Sequence, residues 1–145
     1  LESDCQKGKY GCVAIYKGKI VSETFNKILE PLRDWCTPEC MRKNIPARTE
    51  SMLGACGHAE ELALASVRDL KVDIKKVSFY VAGFRSSGLV YIKPEADSTC
   101  IRCGMQFYLH GVEKTYVPVK TNWEIIGREE ILRSAKNFAL QIKTL

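Results

Sequence analysis

Strand-like and helix-like segments alternate along this sequence, and the alternation predicts an α/β sandwich, a mixed β-sheet flanked by helices. Three observations carry that expectation. Gly11 to Val21 (GCVAIYKGKIV) is two β-rich runs around Lys17-Gly18-Lys19, the pattern of a hairpin. His58 to Asp69 (HAEELALASVRD) is made of good helix formers. Val77, Phe79 and Val81 alternate with Ser78 and Tyr80, as a strand with one buried face does.

In chain order, Cys12 falls by alternation inside the first strand. From Glu30 to Gly57 the pattern dissolves into Pro31, Trp35, Cys36, Pro38, Cys40, Pro46 and Gly54. An irregular segment of that length in a compact domain usually serves a site or a metal. The helix after it takes its apolar side from Leu62, Ala65, Val67 and Leu70. Phe84 to Pro94 reads as a hairpin-like excursion around Ser86-Ser87-Gly88. Cys100 to His110 is a second helix, stopped by Gly111 in the C-cap position. Thr115 to Val119 is a short strand. Ile125 to Thr144 is a final helix, with Ile131, Leu132, Ala135, Phe138, Ala139 and Ile142 on one face. No internal repeat or low-complexity tract interrupts the order.

At 145 residues, 46% apolar and 27% charged, the chain suits one domain over residues 1–145 with a core that needs no disulfide staples. The sequence opens on Leu1 rather than Met, so a further N-terminal helix could precede it. No run approaches the ~20 apolar residues of a membrane span, and no signal-peptide pattern opens the chain. Net charge is +5, with the Lys and Arg residues scattered. A diffuse excess of that kind suits an anionic ligand such as a nucleotide phosphate, and does not by itself argue for nucleic acid. Seven cysteines, an odd count without a secretory signal, point to metal ligands or reduced thiols and to a cytoplasmic setting.

His58-Ala59-Glu60 is followed about forty residues later by Cys100-Ile101-Arg102-Cys103. Catalytic zinc takes three protein ligands from imidazole and thiolate and leaves a fourth position to water. His58, Cys100 and Cys103 supply that count. Each cluster opens a predicted helix, where backbone N–H groups and the helix dipole favour anions. Glu60 lies in the first turn, near enough to meet the metal's water without being a ligand. A carboxylate there can take a proton from that water and deliver it to a ring nitrogen and then to a leaving amine. The H-x-E plus C-x-x-C grammar is that of zinc nucleobase deaminases. Taken singly, C-x-x-C could be a structural knuckle and HAE a chance helix start; in this order and spacing they are far more specific.

On these residues the sequence resembles the cytidine and deoxycytidylate deaminase superfamily, more closely its deoxycytidylate branch. Ser3-Asp4-Cys5-Gln6-Lys7 leading into Tyr10-Gly11-Cys12-Val13-Ala14 is similar to that branch's segment before and into its first strand. Lys19-Ile20-Val21 with Phe25-Asn26 is similar to its second strand and substrate loop, and Cys36, Cys40, Arg42 and Cys56 to cysteine-rich sequence before its HAE motif. Tyr80-Val81 and Gly111-Val112-Glu113-Lys114 fall where similar stretches occur. The resemblance implies a cytidine-deaminase-like three-layer sandwich. It implies zinc on His58, Cys100 and Cys103, Glu60 as proton shuttle to a zinc-bound hydroxide that attacks the ring carbon, and dCMP going to dUMP. Asn26 and Ala59 would contact the substrate, and the protein would be a homo-oligomer. Three positions depart from the family: Thr99 stands where Pro is usual, Lys27 follows Asn26 where nucleotide-regulated members have Gly, and the link from Val81 to Cys100 is longer. That link, with Arg85 and Lys93 as cations able to meet a phosphate, is expected to border the pocket.

Cys5, Cys36, Cys40 and Cys56 remain. Four thiols suffice for a second, structural zinc, which members of the resembled branch can carry; four reduced, partly buried cysteines are the alternative. Two other functions stay open. A nucleic-acid deaminase would act on a single-stranded or flipped cytosine or adenine, with Trp35, Phe84, Tyr91 and Trp123 as stacking surfaces. A zinc-stabilised binding module without catalysis would have no use for Glu60.

Overall fold

The computed structural model describes residues 3–5, 8–46, 54–85, 88–90, 99–120 and 122–143, without the side chains of 85, 135, 138, 139 and 141–143. Strands β1 (Lys9–Tyr16) and β2 (Lys19–Phe25) form the expected antiparallel hairpin. Its two-residue loop puts both Lys17 (φ 50°) and Gly18 (φ 75°) in the left-handed region, the twist that a tight hairpin turn requires. β3 (Lys27–Ile28) pairs with β4 (Cys56–Gly57) in a small second sheet. Between them a 3₁₀ helix over Glu30–Cys36 carries Pro31 in its first turn, where its fixed φ suits a helix start. Ile28, Cys36 and Ala55 bury against one another there, with Leu32, Met41 and Cys56 around them.

Helix α1 (Ala59–Asp69) follows at once and leads to β5 (Val77–Arg85). β6 (Gly88–Val90) folds back on the end of β5, so the excursion after Phe84 does begin as a hairpin. Residues 91–98, with Tyr91 and Lys93, lie outside the described residues, as does the Arg85 side chain. Helix α2 (Ile101–Leu109) ends at His110, and Gly111 takes a left-handed φ of 78° as predicted. β7 (Lys114–Val119), β8 (Asn122–Ile126) and helix α3 (Arg128–Lys143) complete the order. The main sheet runs β2-β1-β5-β7-β8. Its β5–β7 pair is parallel, and every other pair is antiparallel.

Register decides which face meets the helices. Cys12 pairs with Val81 and Ala14 with Phe79, and all four are buried. Across the sheet the same face carries Val77, Val117 and Ile126; α1, α2 and α3 cover it with Val67, Phe107 and Ile131. Phe79 and Phe107 meet with ring centroids 4.9 Å apart, a contact that fixes α2 over the parallel pair. Among the described residues, no helix is long and apolar enough to cross a membrane.

Two sequence expectations need correction. Ile125 and Ile126, expected to open the last helix, end a strand over Asn122–Ile126 antiparallel to β7, and the helix begins at Arg128. Trp123, Ile125 and Ile126 are strand formers, and Gly127 separates them from the helix-forming Arg128-Glu129-Glu130. The buried side of α1 is Ala59, Glu60, Ala63, Leu64 and Val67, while Ala65 and Leu70 are exposed and Leu62 is partly so. Glu60, Ala63, Leu64 and Val67 follow helical i, i+3, i+4, i+7 spacing, so the inward stripe starts on a carboxylate.

Candidate metal centre and catalytic site

Two helix starts meet at one point. His58 is the N-cap of α1 and Cys100 the N-cap of α2, both in extended conformation, and Cys103 lies in the first turn of α2. His58 Nδ1 is 3.2 Å from Cys103 Sγ and 3.4 Å from Cys100 Sγ. The Cys103 backbone N–H donates to Cys100 Sγ at 3.4 Å, the helix-start hydrogen bond that steadies a thiolate. Among the described residues these three form the group of possible metal donors whose atoms all lie within 4.8 Å of one another.

A zinc ion fits this set. With Zn–N and Zn–S bonds of about 2.0 and 2.3 Å, a tetrahedral ion holds its nitrogen and sulfur ligands about 3.5 Å apart. The observed separations differ from that by a few tenths of an ångström. The electrostatics agree. The Cys100 thiol is brought down to about 4, chiefly by a hydrogen bond from the Cys103 thiol, with the His58 ring and the Cys103 N–H adding to it against burial. Sharing that proton with Cys100, together with burial near Glu60, pushes Cys103 well up. The bond to Cys100 also raises His58. Without an ion the cluster therefore keeps protons that a cation would displace.

Glu60 is 8% exposed and stands beside this cluster without belonging to it. Its Oε1 accepts a hydrogen bond from the buried Thr99 hydroxyl at 3.4 Å. Burial raises its carboxyl above the ordinary value, and the neighbouring Cys100 adds to the shift. A buried carboxyl so raised holds a proton more readily than an exposed one, as a general acid–base group does.

The peptide of Ala59, fully buried, is fixed from β2: the Thr24 hydroxyl donates to its carbonyl at 2.8 Å. Asn26 follows β2 with its carboxamide held by the chain. Nδ2 donates to Gly8 O at 2.8 Å, and Oδ1 accepts from Tyr10 N at 2.8 Å and from the Ser3 hydroxyl at 2.6 Å.

Cys5, Cys36 and Cys40 all lie near enough to Cys56 to act on its thiol. The Cys56 thiol is raised, first by a hydrogen bond with the Cys5 thiol, then by burial and by the nearby Cys5, Cys36 and Cys40. Cys12 stands apart in the core, fully buried, and burial pushes its thiol well up. A cleft of about 570 Å³ runs along β3 and the 3₁₀ helix, lined by Asp4 and residues 27–33. None of the three candidate zinc ligands lines it, so the donor geometry rather than the cleft locates the chemistry.

Thr24, Glu61 and Arg102 escaped the sequence reading, which met Thr99 only as a departure from the resembled family's usual Pro. Thr99 directly precedes Cys100, and Arg102 lies inside C-x-x-C, which was the available signal. What each one touches depends on how the two helix starts meet.

No protein-family model and no curated protein matches the sequence. Among solved structures the chain is similar to a cytidine deaminase from Burkholderia pseudomallei, with a TM-score of 0.54 and 14% identity, over 90% of this chain and 84% of that one. It is also similar to the dCMP deaminase of cyanophage S-TIM5 in apo form (TM-score 0.49, 17% identity, 87% of this chain and 74% of that one). The same phage enzyme in complex with dCMP and dUMP gives a TM-score of 0.47 and 15% identity, over 96% of this chain and 79% of that one. The likeness to the Burkholderia enzyme makes the mixed sheet with its flanking helices a cytidine-deaminase-like α/β fold.

Proposed function

We propose that this protein is a zinc-dependent hydrolytic deaminase of a nucleobase amino group, and that its substrate is a cytosine nucleotide, dCMP going to dUMP and ammonia. The observation that carries the reading is the meeting of His58 Nδ1 with both thiols at two helix starts, beside a buried carboxyl that is not a ligand. Zinc held by His58, Cys100 and Cys103 supplies the Lewis acidity that activates water near neutral pH. Glu60 takes a proton from the attacking water, passes it to the ring nitrogen, and then protonates the leaving amine. The Thr99 hydroxyl holds Glu60 Oε1 while this happens. Ala59, anchored through Thr24, and Asn26 form the substrate side of the site. Because Asn26 Oδ1 is engaged by Ser3 and Tyr10, a substrate contact there exchanges one of those bonds.

The nucleotide, rather than nucleic acid, is favoured by the resemblance to the deoxycytidylate branch and by the diffuse positive charge. A second, structural zinc on Cys5, Cys36, Cys40 and Cys56 is supported by the Cys5–Cys56 hydrogen bond and the nearness of the other two thiols. Metal analysis then gives about two zinc per chain, and one per chain removes the second site while leaving the first. Self-association is supported by the exposed stripe of Ile101, Met105 and Leu109, spaced four apart on α2.

Ammonia release from dCMP, cytidine and a short single-stranded oligonucleotide tests the substrate. Preference for dCMP is expected. Preference for the oligonucleotide promotes the nucleic-acid reading, and turnover of purines alone discards the cytosine assignment. Zinc binding with no turnover of any base leaves the non-catalytic module.

A further inference from the structure

Arg102, between the two zinc cysteines, reaches across to α1. Its Nε donates to Glu61 Oε1 and its Nη2 to Glu61 Oε2, both at 2.5 Å, a two-pronged pair between residues 41 apart in sequence. Glu61 does a second task with the same carboxylate: Oε2 accepts the backbone N–H of His58 at 3.1 Å. Arg102 Nη2 also reaches the Cys56 carbonyl at 3.5 Å, just ahead of His58 in the chain. Side-chain exposures of 32% and 23% keep the pair largely shielded, where a bidentate bond holds geometry better than a solvated one does.

The three zinc donors come from two helix starts 42 residues apart, and the pair spans those same two starts. Neither Arg102 nor Glu61 is a donor, and the proton transfers do not use them. Through the His58 backbone and the C-x-x-C turn, however, this pair links the half of the site that carries His58 to the half that carries both sulfurs. Resting on the zinc reading, we infer that Arg102 and Glu61 are positioning residues that hold the His58 and Cys100–Cys103 halves of the site in register and thereby set how tightly zinc is kept. Supporting groups around metal ligands are commonly worth ~10- to 100-fold in affinity.

The test compares the zinc-loaded protein with Glu61→Gln, Arg102→Lys and Arg102→Gln. Glu61→Gln keeps an acceptor for the His58 N–H and almost the same shape, so it serves if the arginine variants fold poorly. Arg102→Lys keeps the charge and loses the fork. Zinc transfer to a colorimetric chelator and the visible d–d spectrum of the cobalt(II)-substituted protein are read for each. The inference expects zinc to be held ~10- to 100-fold less tightly in all three variants, with a shifted cobalt spectrum. Arg102→Lys should not restore the spectrum. Variants that melt at lower temperature yet keep the parent cobalt spectrum and zinc affinity would show a merely structural pair and overturn the inference. Parent protein that takes up neither metal at one ion per site would overturn the zinc reading itself, and this inference with it.

Discussion

Glu60 sits two residues past His58, buried and bonded to Thr99, and the proton-shuttle role proposed for it can be tested apart from metal binding. In Glu60→Gln the amide oxygen can still accept from Thr99, and no zinc donor is lost. The variant should keep its zinc and its melting temperature while turnover falls ~10²- to 10⁴-fold, as metal analysis and ammonia release will report. The donor set makes a further prediction. Cys103 is pushed well up by Cys100 and burial, and His58 is raised by Cys100, so both hold protons in the metal-free cluster that zinc must displace. Zinc affinity should therefore rise with pH and fall as pH drops, which competition titrations at about pH 8 and about pH 6 can check. At this scale the sequence was most legible where the candidate site residues sit close together: His58 with Glu60, and Cys100 with Cys103. Arg102–Glu61 and Thr99–Glu60 join residues some forty apart, and no spacing rule reaches that far.

At the scale of elements, the hairpin, the central strand and the Gly111 helix stop were legible because each is signalled by neighbouring residues. β8 was not. Trp123 to Ile126 runs into a helix of similar apolar density, and only pairing with β7 makes it a strand. The inward face of α1 was misjudged because its stripe begins with Glu60, a residue that apolar periodicity discounts. Tyr10 and Gly83 show how closely the central strands are fitted. They are directly opposite in the β1–β5 register, and a Cβ on Gly83 would stand 2.2 Å from Tyr10 Cε1. Gly83→Ala should cost ~1–3 kcal/mol by overpacking. In a Tyr10→Ala background most of that cost should vanish, as chemical denaturation of the two single variants and the double variant will show. An unchanged cost in that background would contradict the packing account.

Over the whole molecule, one end of the helical layer gathers the chemistry. α1 and α2 start there, beside the cysteine-rich segment before α1, while Phe79, Phe107 and Val67 hold the two helices on a common sheet face. The α/β class and the site were readable from sequence because the motifs fall at helix starts. The later part of the link before Cys100 carries no periodic signal and was not readable in that way. The net charge of +5 is spread over the chain, which fits a small anionic substrate better than a long polyanion. The most direct measurement is ammonia release from dCMP by the zinc-loaded protein, repeated after chelation and again after zinc is returned. The account predicts release that disappears with the metal and returns with it. A protein that binds zinc at His58, Cys100 and Cys103 and yet releases no ammonia from dCMP or any other nucleobase would contradict it.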